Sequence, residues 1–276
     1  MPVRVLGVIP ARFASSRFPG KALATLAGKP ILQHVYEKSK LARYLHEVII
    51  ATDDERIATA ARGFGATVRM TRSDHPSGTD RVAEVASSSE AQIIVNVQGD
   101  EPLIDPGAID AAVLSLLDDN TVMMGTLMKR IEDPDEITNP NVVKVVTATD
   151  GNAIYFSRSP IPYLRDMKAY EELAQNGAAV RSGNPRVSGP FGGADGALCA
   201  AYYKHIGLYV YRRNFLLGYS TLPVGPLERS ECLEQLRALE NGYSIRVTET
   251  DYESLGVDTP EDLERVSKLF SMPLNQ

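Results

Sequence analysis

Short apolar, β-branched runs recur along the chain with segments of helical period between them. That alternation is the pattern of a mainly parallel sheet covered by helices, since parallel neighbours need crossover connections. Strands are predicted over Val3 to Ile9, Glu47 to Thr52, Thr67 to Met70 and Gln92 to Val97. Helices are predicted over Pro30 to Tyr44, Asp54 to Gly63 and Thr79 to Ser88, the second closing on Gly63 and Gly65. Open sheets of this kind bind ligands beyond the carboxyl ends of their strands, so a site is expected just after Ile9, Thr52, Met70 and Val97. With 276 residues the chain can bury a substantial core, and residues 1–276 read as one α/β domain.

The second half changes character. Val122 to Met128, Asn141 to Thr147 and Ala153 to Ser157 read as strands in quick succession, with Asp150-Gly151 as a hairpin turn. They mark residues 121–212 as a smaller β-rich subdomain suited to acceptor binding or homodimer contact. Gln175 to Ala200 holds six glycines and few large apolar residues, and reads as a mobile segment or lid. His205 to Tyr211 and Ser244 to Thr248 follow as strands, Pro226 to Asn241 as a long amphipathic helix, and Thr259 to Leu269 as a terminal helix.

Charge narrows the function. The chain carries 29 Lys and Arg against 35 Asp and Glu, a net charge of −6. Yet Met1 to Arg43 holds eight basic side chains and one acid, Glu37. A nucleic-acid surface needs a broader basic stripe, so the expected partner is a small polyanion. No apolar run reaches spanning length and the first residues carry no signal-peptide pattern, which reads as a cytoplasmic protein without membrane contact. Cys199 and Cys232 fit neither a zinc knuckle nor a redox pair, and the histidines His34, His46, His75 and His205 are scattered.

Three constellations carry chemistry. The loop after the first strand presents Arg12, Arg17 and Lys21, which could neutralise a triphosphate with help from backbone N–H groups near Ser15 and Gly20. It matches neither a P-loop nor a G-x-G-x-x-G fingerprint, and a solvated basic loop would look the same. Gln98-Gly99-Asp100-Glu101-Pro102 puts a carboxylate at the end of a buried strand, where it can hold Mg²⁺; a helix-capping turn is the alternative. In Asp258-Thr259-Pro260-Glu261-Asp262, Thr259, Pro260 and Asp262 suffice for a capped helix start, which leaves Asp258 as a possible second metal ligand.

Seven motifs occur in order: Ile9-Pro-Ala-Arg-Phe-Ala-Ser-Ser-Arg-Phe-Pro-Gly-Lys21, Met70-Thr-Arg-Ser-Asp-His-Pro-Ser-Gly-Thr79, Val95-Asn-Val-Gln-Gly-Asp-Glu-Pro102, Asn139-Pro-Asn-Val-Val-Lys144, Tyr155-Phe-Ser-Arg158, His205-Ile-Gly-Leu-Tyr209 and Gly256-Val-Asp-Thr-Pro-Glu-Asp-Leu263. Together the chain resembles the 3-deoxy-manno-octulosonate (Kdo) cytidylyltransferases of lipopolysaccharide assembly. The resemblance implies a three-layer, Rossmann-like α/β fold of the nucleotide-diphospho-sugar-transferase type, with a mixed, mostly parallel sheet. It implies conversion of CTP and Kdo to CMP-Kdo and pyrophosphate with Mg²⁺, in a homodimer. By the same resemblance Arg12, Arg17 and Lys21 would grip the triphosphate, and Asp100 and Asp258 would hold Mg²⁺. Arg72, Ser77, Gly78 and Gln98 would contact the cytidine. His205, Tyr209, Glu234 and Gln235 would bind the sugar acid, whose carboxylate Arg158 could pair.

Within the resemblance, the Gln175 to Ala200 stretch is longer than the family pattern suggests, so a related sugar acid, sialic acid among them, stays open. From other classes, a glycosyltransferase with Asp53-Asp54 as its metal pair, or a non-catalytic nucleotide sensor, compete with this reading.

Overall fold

The computed structural model describes residues 3–14, 17–163, 165 and 202–271. The Gly-rich stretch 175–200, with Cys199, lies outside them. In chain order the elements are β1 (Val5–Ala11), β2 (Thr25–Leu26), β3 (Lys29–Pro30), α1 (Ile31–Ser39), β4 (Glu47–Thr52), α2 (Glu55–Gly63), β5 (Thr67–Met70) and α3 (Gly78–Ser87). Next come β6 (Ile93–Asn96), α4 (Pro106–Leu117), β7 (Met124–Arg130), α5 (Pro134–Thr138), β8 (Lys144–Thr147) and β9 (Ala153–Ser157). After the undescribed segment follow β10 (Tyr203–Arg212), α6 (Arg213–Tyr219), α7 (Pro226–Glu231), α8 (Leu236–Glu240), β11 (Ile245–Glu249) and α9 (Pro260–Ser271).

The chain forms two compact units. The first comprises residues 1–125, 207–221 and 252–276. Its sheet runs β5-β4-β1-β6, all parallel, with Ile9 opposite Ile50 and Val8 opposite Asn96. The end of β10 adds an antiparallel neighbour to β6, Tyr209 facing Asn96, so the sheet is mixed and mostly parallel. Val8, Ile9, Ile50, Ile93 and Ile94 are fully buried, as expected of strands covered on both faces. Local chemistry sets the helix starts. Asp54 caps α2 by accepting from the Arg56 N–H at 2.9 Å, and Ser77 and Asp80 form a reciprocal box at α3.

Two helix expectations need correction. The helix expected from Pro30 to Tyr44 spans only Ile31–Ser39. Pro30 instead closes the β2–β3 hairpin, whose turn residues Ala27 and Gly28 have φ of 45° and 82°. At the other end the Arg43 and Tyr44 N–H groups donate to the Asp110 carboxylate, each at 3.0 Å, and leave the helical path. The helix expected from Pro226 to Asn241 is two, α7 and α8, because Cys232 takes a left-handed conformation at φ 52° and ψ 47°.

The second unit comprises residues 126–206 and 222–251. β8 and β9 form the expected antiparallel hairpin, Val145 opposite Phe156, turning through Gly151 at φ 81°. The first residues of β10 pair with β8, Tyr203 facing Val145. The Lys204 ammonium holds both carboxylate oxygens of Glu136, at 2.7 and 2.9 Å, which ties β10 to α5.

Gly99 marks where the fold brings backbone against backbone. A Cβ there would lie 2.8 Å from the Pro10 carbonyl oxygen. Gly99→Ala should therefore lower the urea midpoint by the equivalent of about 1–3 kcal/mol, the usual scale of overpacking. Gly63→Ala, in open space on a helix, should not destabilise. An unchanged midpoint in Gly99→Ala would contradict this packing.

Candidate active site

The loop after β1 and the turn after β6 open into one cavity of about 400 Å³ in the first unit. Its wall includes Arg12, Arg17 and Lys21, the backbone at Pro10, Ala11 and Gly78, and the Gln98-Gly99-Asp100 turn. Asp258 completes it. The volume suits a nucleotide-sized ligand. Of the three constellations expected from the sequence, all meet here.

Gly20 makes the loop geometry possible: at φ 73° it opens the 3₁₀ turn Lys21–Leu23. Its N–H donates to the Phe13 carbonyl at 2.9 Å, so this group closes the loop and is not presented to a phosphate as expected. Ser15 lies outside the described residues. The Lys21 ammonium donates to Asp100 Oδ2 at 2.6 Å and to Asp258 Oδ1 at 2.7 Å. Arg17 Nη2 donates to the second Asp258 oxygen at 2.8 Å. Backbone also joins the two acidic segments, the Val257 N–H donating to the Asp100 carbonyl at 2.9 Å. Asp258 has its carboxylate available because Thr259 and Asp262 cap α9 between themselves, at 3.0 and 3.2 Å.

Electrostatics follow from this geometry. Burial works to lower the Lys21 ammonium, but Asp100 and Asp258 outweigh it and hold it above its ordinary value of 10.5. Burial works to raise the Asp258 carboxyl, but Lys21 and Arg17 outweigh that and hold it below 3.8. Two carboxylates that share one ammonium form a donor set for a hard divalent cation, with further oxygens coming from a phosphate. No group of three or more potential metal-binding side chains occurs among the described residues, so two carboxylates are what the chain offers here. The donor chemistry fits Mg²⁺.

The residues expected to contact the cytidine are held differently. Gly78 and Gln98 line the cavity. Gln98 Nε2 donates to the Gly207 carbonyl at 2.9 Å. Ser77 spends its hydroxyl on the α3 box, donating to Asp80 at 2.7 Å. The exposed Arg72 side chain pairs with Asp74 at 3.0 Å. Arg12 Nη2 donates to the His75 carbonyl at 3.0 Å, and His75 is itself paired with Glu84. The Asp53-Asp54 pair is taken up by the fold: Asp54 caps α2 and binds Arg56, and Asp53 lies 3.1 Å from the fully buried Arg81.

Of the residues expected to bind the sugar acid, Tyr209 belongs to the first unit and Arg158, His205, Glu234 and Gln235 to the second. Burial pushes the His205 imidazole down to about 3, so it is neutral at physiological pH, and its Nε2 pairs with the Thr126 hydroxyl at 2.9 Å. Gln235 is buried, and its Nε2 has no hydrogen-bond partner among the described residues. Arg158 donates from Nε, Nη1 and Nη2 to the Glu231, Pro140 and Cys232 carbonyls.

Sequence reasoning missed one buried pair behind the site. The Tyr252 hydroxyl donates to Glu101 Oε2 at 2.8 Å, and burial raises the Glu101 carboxyl. The partners are 151 positions apart, so no local pattern could reveal them.

A profile of the cytidylyltransferase family matches residues 6–247, and a mixed α/β sheet with this charged cavity is the equipment of such an enzyme. The chain is 64% identical over its full length to 3-deoxy-manno-octulosonate cytidylyltransferase from Solibacter usitatus, covering 98% of that protein. It is 55% identical over 264 residues to the enzyme of the same name from Geobacter sulfurreducens, covering 96% of this chain and 98% of that one. A solved structure of CMP:2-keto-3-deoxy-manno-octonic acid synthetase complexed with CTP superposes with a TM-score of 0.83 at 41% identity, covering 97% of this chain and 98% of that one. The chain belongs to the 3-deoxy-manno-octulosonate cytidylyltransferase family.

The lowered Asp258 value predicts a pH dependence. A carboxyl depressed on folding stabilises the fold above its unfolded value, and that contribution is lost as pH falls through the folded value. Unfolding midpoints measured from pH 6 down to pH 3 should therefore fall more steeply in the native chain than in Asp258→Asn. Equal slopes would contradict the contact.

Proposed function

We propose that this enzyme transfers the cytidylyl group of CTP to Kdo, releasing pyrophosphate, with Asp100 and Asp258 holding Mg²⁺. The observation that carries the reading is the Lys21 ammonium lying between those two carboxylates inside a cavity lined by Arg12 and Arg17. Mg²⁺ bound there supplies charge neutralisation and Lewis-acid polarisation at the α-phosphate. Arg12, Arg17 and Lys21 neutralise the triphosphate and then the departing pyrophosphate. For this, Lys21 exchanges its two carboxylates for phosphate oxygens when CTP enters.

A sugar hydroxyl then attacks the α-phosphorus in line with the leaving pyrophosphate, and the protein's work is positioning and charge stabilisation. Gln98, with the Arg72-to-Gly78 loop, reads the cytosine. Since the Ser77 hydroxyl is engaged in the α3 box, that loop acts through its backbone and shape. His205, Tyr209, Glu234 and Gln235 bind the sugar acid; the neutral His205 and the unpartnered Gln235 amide suit a polyol. The product would serve lipopolysaccharide assembly, and the enzyme would work in the cytoplasm. No helix among the described residues is long and apolar enough to cross a membrane. A homodimer is supported by exposed apolar side chains in the second unit, Ile154, Val224, Leu227 and Tyr243.

Pyrophosphate release with CTP, Mg²⁺ and a panel of Kdo, sialic acid and neutral sugars tests the assignment. Release is expected with Kdo. Release with sialic acid alone would overturn the acceptor, and CTP binding without release on any acid would favour a sensor. Asp100→Asn and Asp258→Asn should each abolish turnover without unfolding the chain. Lys21→Ala should weaken CTP binding and lower kcat by about 10²–10³, the scale for losing one preorganised charge; full activity in any of the three would remove that residue from the site.

A further inference from the structure

Two of the ordered motifs, Asn139 to Lys144 and Tyr155 to Arg158, contribute no residue to the cavity lined by Arg12, Arg17 and Lys21. In the structure they converge on one turn, Glu231–Cys232, at the end of α7. The last carbonyls of a helix have no partner within it. Here they find one in Arg158: its Nε donates to the Glu231 carbonyl at 2.8 Å, and Nη2 reaches the Cys232 carbonyl at 3.5 Å. Nη1 donates to the Pro140 carbonyl at 2.9 Å. The 139–142 loop is in turn held by the buried Lys144, whose ammonium donates to the Asn139 and Val142 carbonyls. The Glu231 carboxylate completes the clasp, accepting from the Ser157 hydroxyl at 2.6 Å and from the Arg158 N–H at 2.9 Å.

The clasp encloses a strained position. Cys232 is left-handed, a conformation that costs a non-glycine residue about 1–2 kcal/mol. Glu234 and Gln235 follow within three residues, and Gln235 enters α8 with its buried amide nitrogen unpartnered among the described residues. Their direction is set by that turn. Each nitrogen of the Arg158 guanidinium faces a backbone carbonyl, so three of its five N–H donors fasten this turn.

We propose that Arg158 and Glu231 are positioning residues for acceptor binding: they lock the Cys232 turn that presents Glu234 and Gln235 to the sugar acid. The inference rests on the acceptor reading above. It differs from a direct Arg158–carboxylate contact in that the guanidinium acts on the backbone of the turn and not on the sugar acid.

A double-mutant cycle on the full-length enzyme, with KM measured separately for Kdo and CTP, decides the matter. Arg158→Met and Glu231→Gln should each raise the KM for Kdo at least tenfold and leave that for CTP within twofold. The double variant should be no worse than the poorer single, and Arg158→Lys should recover part of the loss. A raised Kdo KM in Arg158→Met with none in Glu231→Gln, or effects that multiply in the double variant, would overturn the proposal in favour of direct contact. Should Arg158→Met fail to fold, Arg158→Lys takes its place in the cycle. If the native enzyme releases no pyrophosphate with Kdo, the acceptor reading itself fails, and that is seen before any variant is compared.

Discussion

The Lys21 ammonium lies 2.6 Å from Asp100 and 2.7 Å from Asp258, and the cavity depends on that sharing because two carboxylates brought together without a cation repel each other. Each partner comes from a different part of the sequence: the loop after β1, the turn after β6 and the residue before α9. Three local devices bring them into register. The left-handed Gly20 starts the turn that carries Lys21, the absence of a side chain at Gly99 lets the β6 turn approach Pro10, and the Thr259–Asp262 box leaves Asp258 uncommitted. The same pairing keeps a strongly charged pocket close to neutral until a polyanion enters.

Behind this cluster, burial does the supporting work. Glu101, adjacent to Asp100, is buried against Tyr252, and the Val257 N–H bonds the Asp100 carbonyl, so the two acidic segments are fastened by backbone as well as by charge. In the second unit the logic is similar but the charges serve the chain. Arg158, Lys144 and Lys204 direct their donors at carbonyls or at Glu136, and they organise the hairpin and the turn before α8.

Much of this was legible in the sequence, for identifiable reasons. The β1, β4, β5 and β6 runs are apolar and β-branched, so their strands and the edge bearing the site could be read from pattern. Asp258 was separable from its helix cap because Thr259 and Asp262 suffice for the box. Legibility stopped where conformation depends on distant partners. Apolar spacing from Pro226 to Asn241 reads as one helix, and no glycine announces the break; the left-handed Cys232 is held by Arg158, 74 positions away. The short helices α5 and α6 carry too few residues for a clear period. Asp110 ending α1, and Tyr252 meeting Glu101, are likewise contacts of tertiary origin.

We propose the Asp100–Asp258 pair as the meeting place of divalent cation and triphosphate, held meanwhile by Lys21. A crystal structure of the enzyme with CTP and Mn²⁺, with an anomalous difference map at the manganese edge, tests it most directly. The expected result is a manganese peak bounded by the two carboxylates, with Lys21 Nζ turned onto phosphate oxygens. A map with CTP bound, Lys21 still bridging both carboxylates and the metal elsewhere would contradict it.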